Sequence, residues 1–192
     1  MKTPIHQETY RDHTIKIMHD PDPESPRDYD NLGTMACWHR RYTLGDKHEY
    51  GDPRDLLIAL GDLDNETDLS MNDLFVRTEK RAVILPLYLY DHSGITMNTT
   101  EFHCPWDSGQ VGYIYVTLAD IRKEYSVTRV SQKLRGKIAD QLRQEVRTYD
   151  HYLTGNCYGF VVEKDEDEVV SCWGFLGDYD GYCLDEAKAS VN

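Results

Sequence analysis

The chain has 192 residues, is 40% hydrophobic, and carries a net charge of −13. That length and apolar content suit one globular domain spanning 1–192 with a real core. A field of that sign repels nucleic-acid phosphates, so it excludes direct nucleic-acid binding by the surface as a whole and favours basic partners.

Residues 12–19, DHTIKIMH, alternate Thr14, Lys16 and Met18 with Ile15 and Ile17, which predicts a strand. DPDPESPRDYDN then predicts an acidic loop, because its prolines remove donors and fix φ. Residues 34–43, TMACWHRRYT, fit either a short helix or a strand. A short helix is expected over 53–60, PRDLLIAL, with Asp52 as cap and Pro53 in the first turn. GDLDNETDLSMNDL continues as acidic loop through 62–73.

AVILPLYLY at 82–90 predicts a buried strand whose Pro86 calls for an edge position or a bulge. GYIYVT at 112–117 predicts another strand. LADIRKEY at 118–125 predicts a short helix capped by Thr117. The longest helix is expected over 131–153, where Leu134, Ile138, Leu142 and Val146 recur every four positions and Tyr149 and Leu153 extend the stripe. Ser131 suits its start and Gly155 its end, and its mixed charges read as a solvated face. YGFVVEK and VVSCWGFLG predict strands joined across DEDE in a hairpin, and a last helix is expected from Asp185. The class is therefore α+β: mostly antiparallel sheet, one long amphipathic helix and short inserted helices.

No apolar run reaches the ~18–20 residues of a membrane span. The start, MKTPIHQETYRDH, lacks an apolar signal core. Cysteines 37, 104, 157, 172 and 183 are odd in number and dispersed, without a CxxC pair. The expectation is a reducing, cytoplasmic setting, with no membrane association and no disulfide framework.

The reactive residue types concentrate in two segments. DHSGITMNTTEFHCPWDSGQVGYIYVT at 91–117 holds His92, His103, Cys104, Trp106, Asp107 and Ser108 in a glycine-punctuated loop. DYDNLGTMACWHRRYTLGD at 28–46 holds WHRRY, two arginines and a histidine between aromatics in an otherwise acidic chain. Arg grips planar anions with a bidentate fork, and Trp or Tyr stacks a ring. The ligand-binding candidates are Trp38, Arg40, Arg41, His92, His103, Trp106 and Asp107. The competing reading is packing alone, with Trp38, Tyr42, Trp106 and Tyr113 in the core around a polar network of Asp30, Arg41 and Asp107.

Known catalytic and metal patterns fit poorly. His92, His103, Cys104 and Asp107 do not have zinc spacing. An EF-hand needs Gly at position six and Glu at position twelve. Counting from Asp20 those positions hold Ser25 and Asn31, and from Asp62 they hold Thr67 and Asp73. Cys104 with His92 or His39, oriented by Asp107, is the best Cys–His pairing, but Ser108 lacks the G-x-S-x-G elbow. No catalytic residue, metal or cofactor is assigned.

The strings DYDNLGTMACWHRRYTLGD, YDHSGITMNTTEFHCPWDSGQVGYIYVT and YLTGNCYGF resemble a family of small acidic proteins encoded by bacteriophages and mobile elements. The resemblance covers most of the chain and implies an accessory protein working in a host cytoplasm. With the charge, it leads to a first functional expectation, inhibition of a host nucleic-acid-binding defence complex by acidic phosphate mimicry. The partner-binding acids are then Asp20, Asp22, Asp28, Asp30, Asp62, Asp64, Glu66 and Asp68, meeting a basic surface of a host protein. The second expectation is a small anionic-ligand module or enzyme built on 38–42 and 91–108.

Overall fold

The computed structural model describes residues 3–64 and 67–191. The chain divides into two compact units, a central one over Asp30–Arg147 and a terminal one formed by Met1–Tyr29 with Thr148–Asn192. Each carries one four-stranded antiparallel sheet, so the α+β class is what the chain adopts.

The central sheet runs β3 (Thr34–Cys37), β6 (Ser108–Thr117), β4 (Ala82–Asp91), β5 (Ile95–Asn98). Val111 to Val116 of β6 are all buried rather than alternating because both faces are covered: Tyr113 and Tyr115 pack with Leu56, Leu57, Ile58 and Leu74, while Ile114 meets Leu142 and Gly33. On one face Ala36, Tyr113, Tyr115 and Ile84 pack with Leu56, Leu57, Ile58 and Leu74. Those leucines and Ile58 come from α1 (Pro53–Gly61) and α2 (Met71–Thr78). Each fully buried Leu or Ile contributes about 1.5–3 kcal/mol. Asp52 caps α1 as expected, its carboxylate accepting from the N–H groups of Arg54 and Asp55. α2 arises inside the stretch read as acidic loop, with Ser70 capping it and Leu74 as its buried anchor.

TMACWHRRYT resolves into a strand for its first four residues and a loop thereafter. Pro86 lies where β4 pairs with β6 alone, since β5 covers β4 only from Tyr88 to Asp91. A bulge follows between Leu87 and Tyr88. The missing N–H of Pro86 therefore falls on the open side of β4 or next to the irregularity, as the sequence required.

α3 (Leu118–Glu124) is capped by Thr117, and α4 (Gln132–Leu153) follows with the Ser131 hydroxyl accepting from Leu134 N–H at 3.2 Å. Ile138, Leu142, Val146 and Tyr149 of α4 are buried, as their spacing predicts. The solvated-face reading of its charges is too broad. Glu145 accepts from the N–H groups of Leu32 and Gly33 at 3.1 and 3.2 Å, and Arg135 donates to the carbonyls of Glu79 and Ala82.

The terminal sheet runs β1 (His6–Tyr10), β2 (His13–His19), β7 (Cys157–Lys164), β8 (Asp167–Leu176). Two-residue turns close both hairpins, with positive φ at Arg11 and Asp12 and at Asp165 and Glu166. That backbone twist matches the flanking strands. Ile15, Ile17, Phe160 and Val162 build the core with Cys183, Ala187 and Val191. The last three come from a helical turn at Tyr179–Cys183, from α5 (Leu184–Ala189), and from the residues just after it.

Candidate functional site

The loop after β3 and the end of β4 meet in the central unit. Trp38 N–H donates to Val111 O at 2.7 Å, so the loop leaves its sheet directly beside β6. The Arg41 guanidinium then closes on the Asp91 carboxylate, whose other oxygen accepts from the Tyr42 hydroxyl at 3.2 Å. Arg41 also lies over the Tyr42 ring, 5.2 Å from its centre. Two adjoining hollows of about 610 and 640 Å³ flank this loop, with Trp38, His39 and Arg40 in the walls of both. Lys47 and His48 line the first; Arg41, Asp91, Trp106, Asp107 and Gln110 line the second.

His39 is fixed by its own loop. Its Nδ1 accepts from the N–H groups of Arg41 and Tyr42 at 3.3 and 3.2 Å, and its ring stacks on Tyr42 at 5.0 Å. That pattern assigns the ring hydrogen to Nε2. Burial, then the charges of Arg41 and Arg40, hold its pKa below the ordinary imidazole value. A neutral His39 thus offers one N–H donor beside two guanidinium groups.

Trp38 is half-buried, its indole N–H bonded to Tyr50 O at 3.1 Å and its ring tilted against His48 at 4.7 Å. Arg40 is exposed. Trp106 is 92% exposed, which overturns its expected place in a packed core. The polar network also differs from the one expected, because Arg41 takes Asp91. Tyr113 is buried, where the packing reading placed it, whereas Tyr42 is only half-buried and lies outside the core.

Asp107 organises the other reactive residues. One of its oxygens meets His92 Nδ1 at 3.3 Å and also accepts from the Cys104 thiol at 3.7 Å. Ser108 donates to Cys104 O at 2.6 Å. The carboxylate stands between thiol and imidazole, so Cys104 and His92 do not form a nucleophile–base pair here. His103 is exposed and lines neither hollow. Among the described residues no group of three His, Cys, Asp or Glu side chains is arranged to hold a metal ion.

His39, Asp91, Lys47 and His48 join the site although the sequence did not single them out as ligands. Asp91 opens the 91–117 segment and Lys47–His48 directly follow 28–46, so proximity in sequence was the available signal.

The candidate acids fall on both units. Asp20, Asp22 and Asp28 belong to the terminal unit; Asp30, Asp62, Asp64 and Asp68 belong to the central one. Asp20 is half-buried and accepts from the N–H groups of Asp22 and Gly174, both at 3.0 Å. Asp62 pairs with Arg81 at 2.8 Å. Asp22, Asp28, Asp30, Asp64 and Asp68 are exposed, and Glu66 lies outside the described residues.

Comparison with protein-family models, curated proteins and solved structures finds no match for this chain. Among the described residues no helix is long and apolar enough to cross a membrane.

Proposed function

We propose that the central unit binds a small anionic ligand carrying a planar ring, of which a nucleotide is the type. The observation that carries this reading is the meeting of the two segments in the second hollow, which Trp38, His39 and Arg40 line together with Asp91 and Trp106, and the sharing of those first three residues with the hollow beside it. Arg40, Lys47 and the His39 Nε2–H supply cationic and neutral donors for the anion. Trp106, standing free at the rim, supplies a stacking face. Arg41 is already matched to Asp91, so its role is to hold the wall rather than to meet the ligand first.

Titration with a panel of nucleoside mono- and triphosphates and inorganic phosphate, read by tryptophan fluorescence, tests this. Saturable quenching that weakens at least tenfold in both Arg40→Ala and Trp106→Ala is expected. Both side chains are exposed, so neither change threatens the fold. No saturable response at millimolar concentrations would exclude the reading.

A second reading rests on the exposure of Asp22, Asp28, Asp30, Asp64 and Asp68 in a chain of net charge −13. In it the chain is a phage or mobile-element accessory protein of the host cytoplasm. Its acids occupy phosphate sites on a basic, nucleic-acid-binding host complex. Support would be a host protein retained at low salt, released at high salt, and lost when these five acids become asparagine. Retention unchanged by salt or by those substitutions would end it.

A further inference from the structure

A third hollow, of about 450 Å³, lies in the terminal unit and plays no part in the site above. Its walls are the rings of Tyr29 and Trp173 and the acids Asp20, Asp22 and Glu24. Tyr29 is 56% exposed and Trp173 is 41% exposed, unusual for large rings flanking one depression.

Both rings are held in place. Trp173 lies against Gly159, paired opposite it in β7, where a Cβ would run into the indole. The Tyr29 hydroxyl donates to Glu24 at 2.9 Å. Asp20 accepts one backbone N–H on each oxygen, from Asp22 and Gly174, which fixes the carboxylate in the wall. Among the described residues no lysine or arginine lines the hollow. The Tyr29 phenol is pushed up, first by its bond to Glu24, then by burial, and further by the charges of Glu24, Asp28 and Asp20.

We infer that this hollow seats an arginine side chain of a protein partner. A guanidinium is flat enough to lie on an indole, presents donors to several carboxylates at once, and is drawn by both ring faces and acids. An ammonium is a compact, strongly hydrated charge that uses the rings less well. A partner segment is the source because β8 is the end strand of its sheet, and an extended chain alongside an end strand delivers side chains at alternate positions. The inference rests on the second reading above, for which it names the side chain that the acidic surface takes.

The test uses the full chain and the peptide acetyl-Gly-Arg-Gly-amide, followed by the indole N–H resonances of Trp38, Trp106 and Trp173. Trp173 is expected to shift saturably. Replacing arginine by citrulline or lysine should weaken binding at least tenfold, as should the double change Asp22→Asn with Glu24→Gln. No saturable Trp173 shift, equal binding of the citrulline or lysine peptide, or full binding by the double variant would overturn the assignment. Partner capture is a separate readout. A failed peptide with salt-sensitive capture intact removes the seat and leaves the second reading. A bound peptide with capture absent keeps the seat and removes that reading.

Discussion

Arg41 and Asp91, fifty positions apart, form the ion pair that ties the WHRRY loop to the end of β4. The arginine side chain is 56% exposed and the aspartate 21%, so solvent screens most of the attraction. A double-mutant cycle with Arg41→Ala and Asp91→Asn should therefore give a coupling of about 1 kcal/mol or less in denaturant unfolding. The effect on nucleotide affinity should be larger than the effect on stability, because the pair shapes the wall of the second hollow. A coupling well above that range would mean the pair holds the fold rather than the site.

Glu145 shows how one charge on a long helix acts at a distance. Its carboxylate satisfies the N–H groups of Leu32 and Gly33, and Gly33 leaves no room for a side chain between Leu142 and Ile114. Glu145→Ala should cost between about 1 and 3 kcal/mol by orphaning these donors. Glu145→Gln, which keeps an acceptor, should recover most of that. Equal losses in both variants would show that charge, not the bond, matters.

Two glycines make opposite predictions. A Cβ on Gly112 would strike the backbone at Ala36 and Cys37, where β3 and β6 pair. Gly112→Ala should cost about 3 kcal/mol. Gly136, exposed in α4 with open space around it, should gain about 1 kcal/mol as alanine through helix propensity. Chemical denaturation of both variants checks the pair, and a neutral Gly112→Ala would contradict the close approach of the strands.

His39 links the site to pH. Its folded pKa is depressed by burial and then by Arg41 and Arg40, so below the ordinary value of about 6.5 the unfolded chain binds protons that the folded chain resists. The stability it contributes is present above that value and is lost as pH falls toward the folded pKa. An NMR titration of the His39 ring should show a midpoint below that of a model peptide, and His39→Gln should flatten the pH dependence of Tm in this window. A midpoint at or above the peptide value would contradict the geometry, in which Nδ1 serves as an acceptor.

The elements legible in the sequence are those with a strong period or a cap. α1 followed from Asp52–Pro53, and α4 followed from the apolar stripe that starts at Leu134 and runs to Leu153. β1 was not legible. HQETY is half-buried at best, and its turn uses Arg11–Asp12 where glycine or asparagine is the usual signal. α2 was masked because acids dominate its surroundings and Leu74 alone marks its buried side strongly. The two reactive segments were legible as locations, but their contact was not, since pairing across fifty residues leaves no local pattern. Trp106 misled because residue type predicts burial only on average, and this tryptophan stands in solvent against that average.

The five cysteines are thiols outside any disulfide and differ in environment, which orders their reactivity. The thiolate is the nucleophile, so a thiol that is buried and hard to ionise reacts slowly. Burial pushes the Cys183 thiol up to about 11, with the neighbouring Cys172 adding to it, and burial likewise raises Cys157. Cys172 is exposed on β8, while Cys37 and Cys104 are half-buried. Brief alkylation of the native chain at pH 8 should mark Cys172 first, Cys37 and Cys104 more slowly, and Cys157 and Cys183 only on unfolding. Peptide mass spectrometry reads the order directly. Early labelling of Cys183 would mean that the core formed by Ile15, Ile17, Phe160 and α5 opens readily, and the packing of the terminal unit would then need revision.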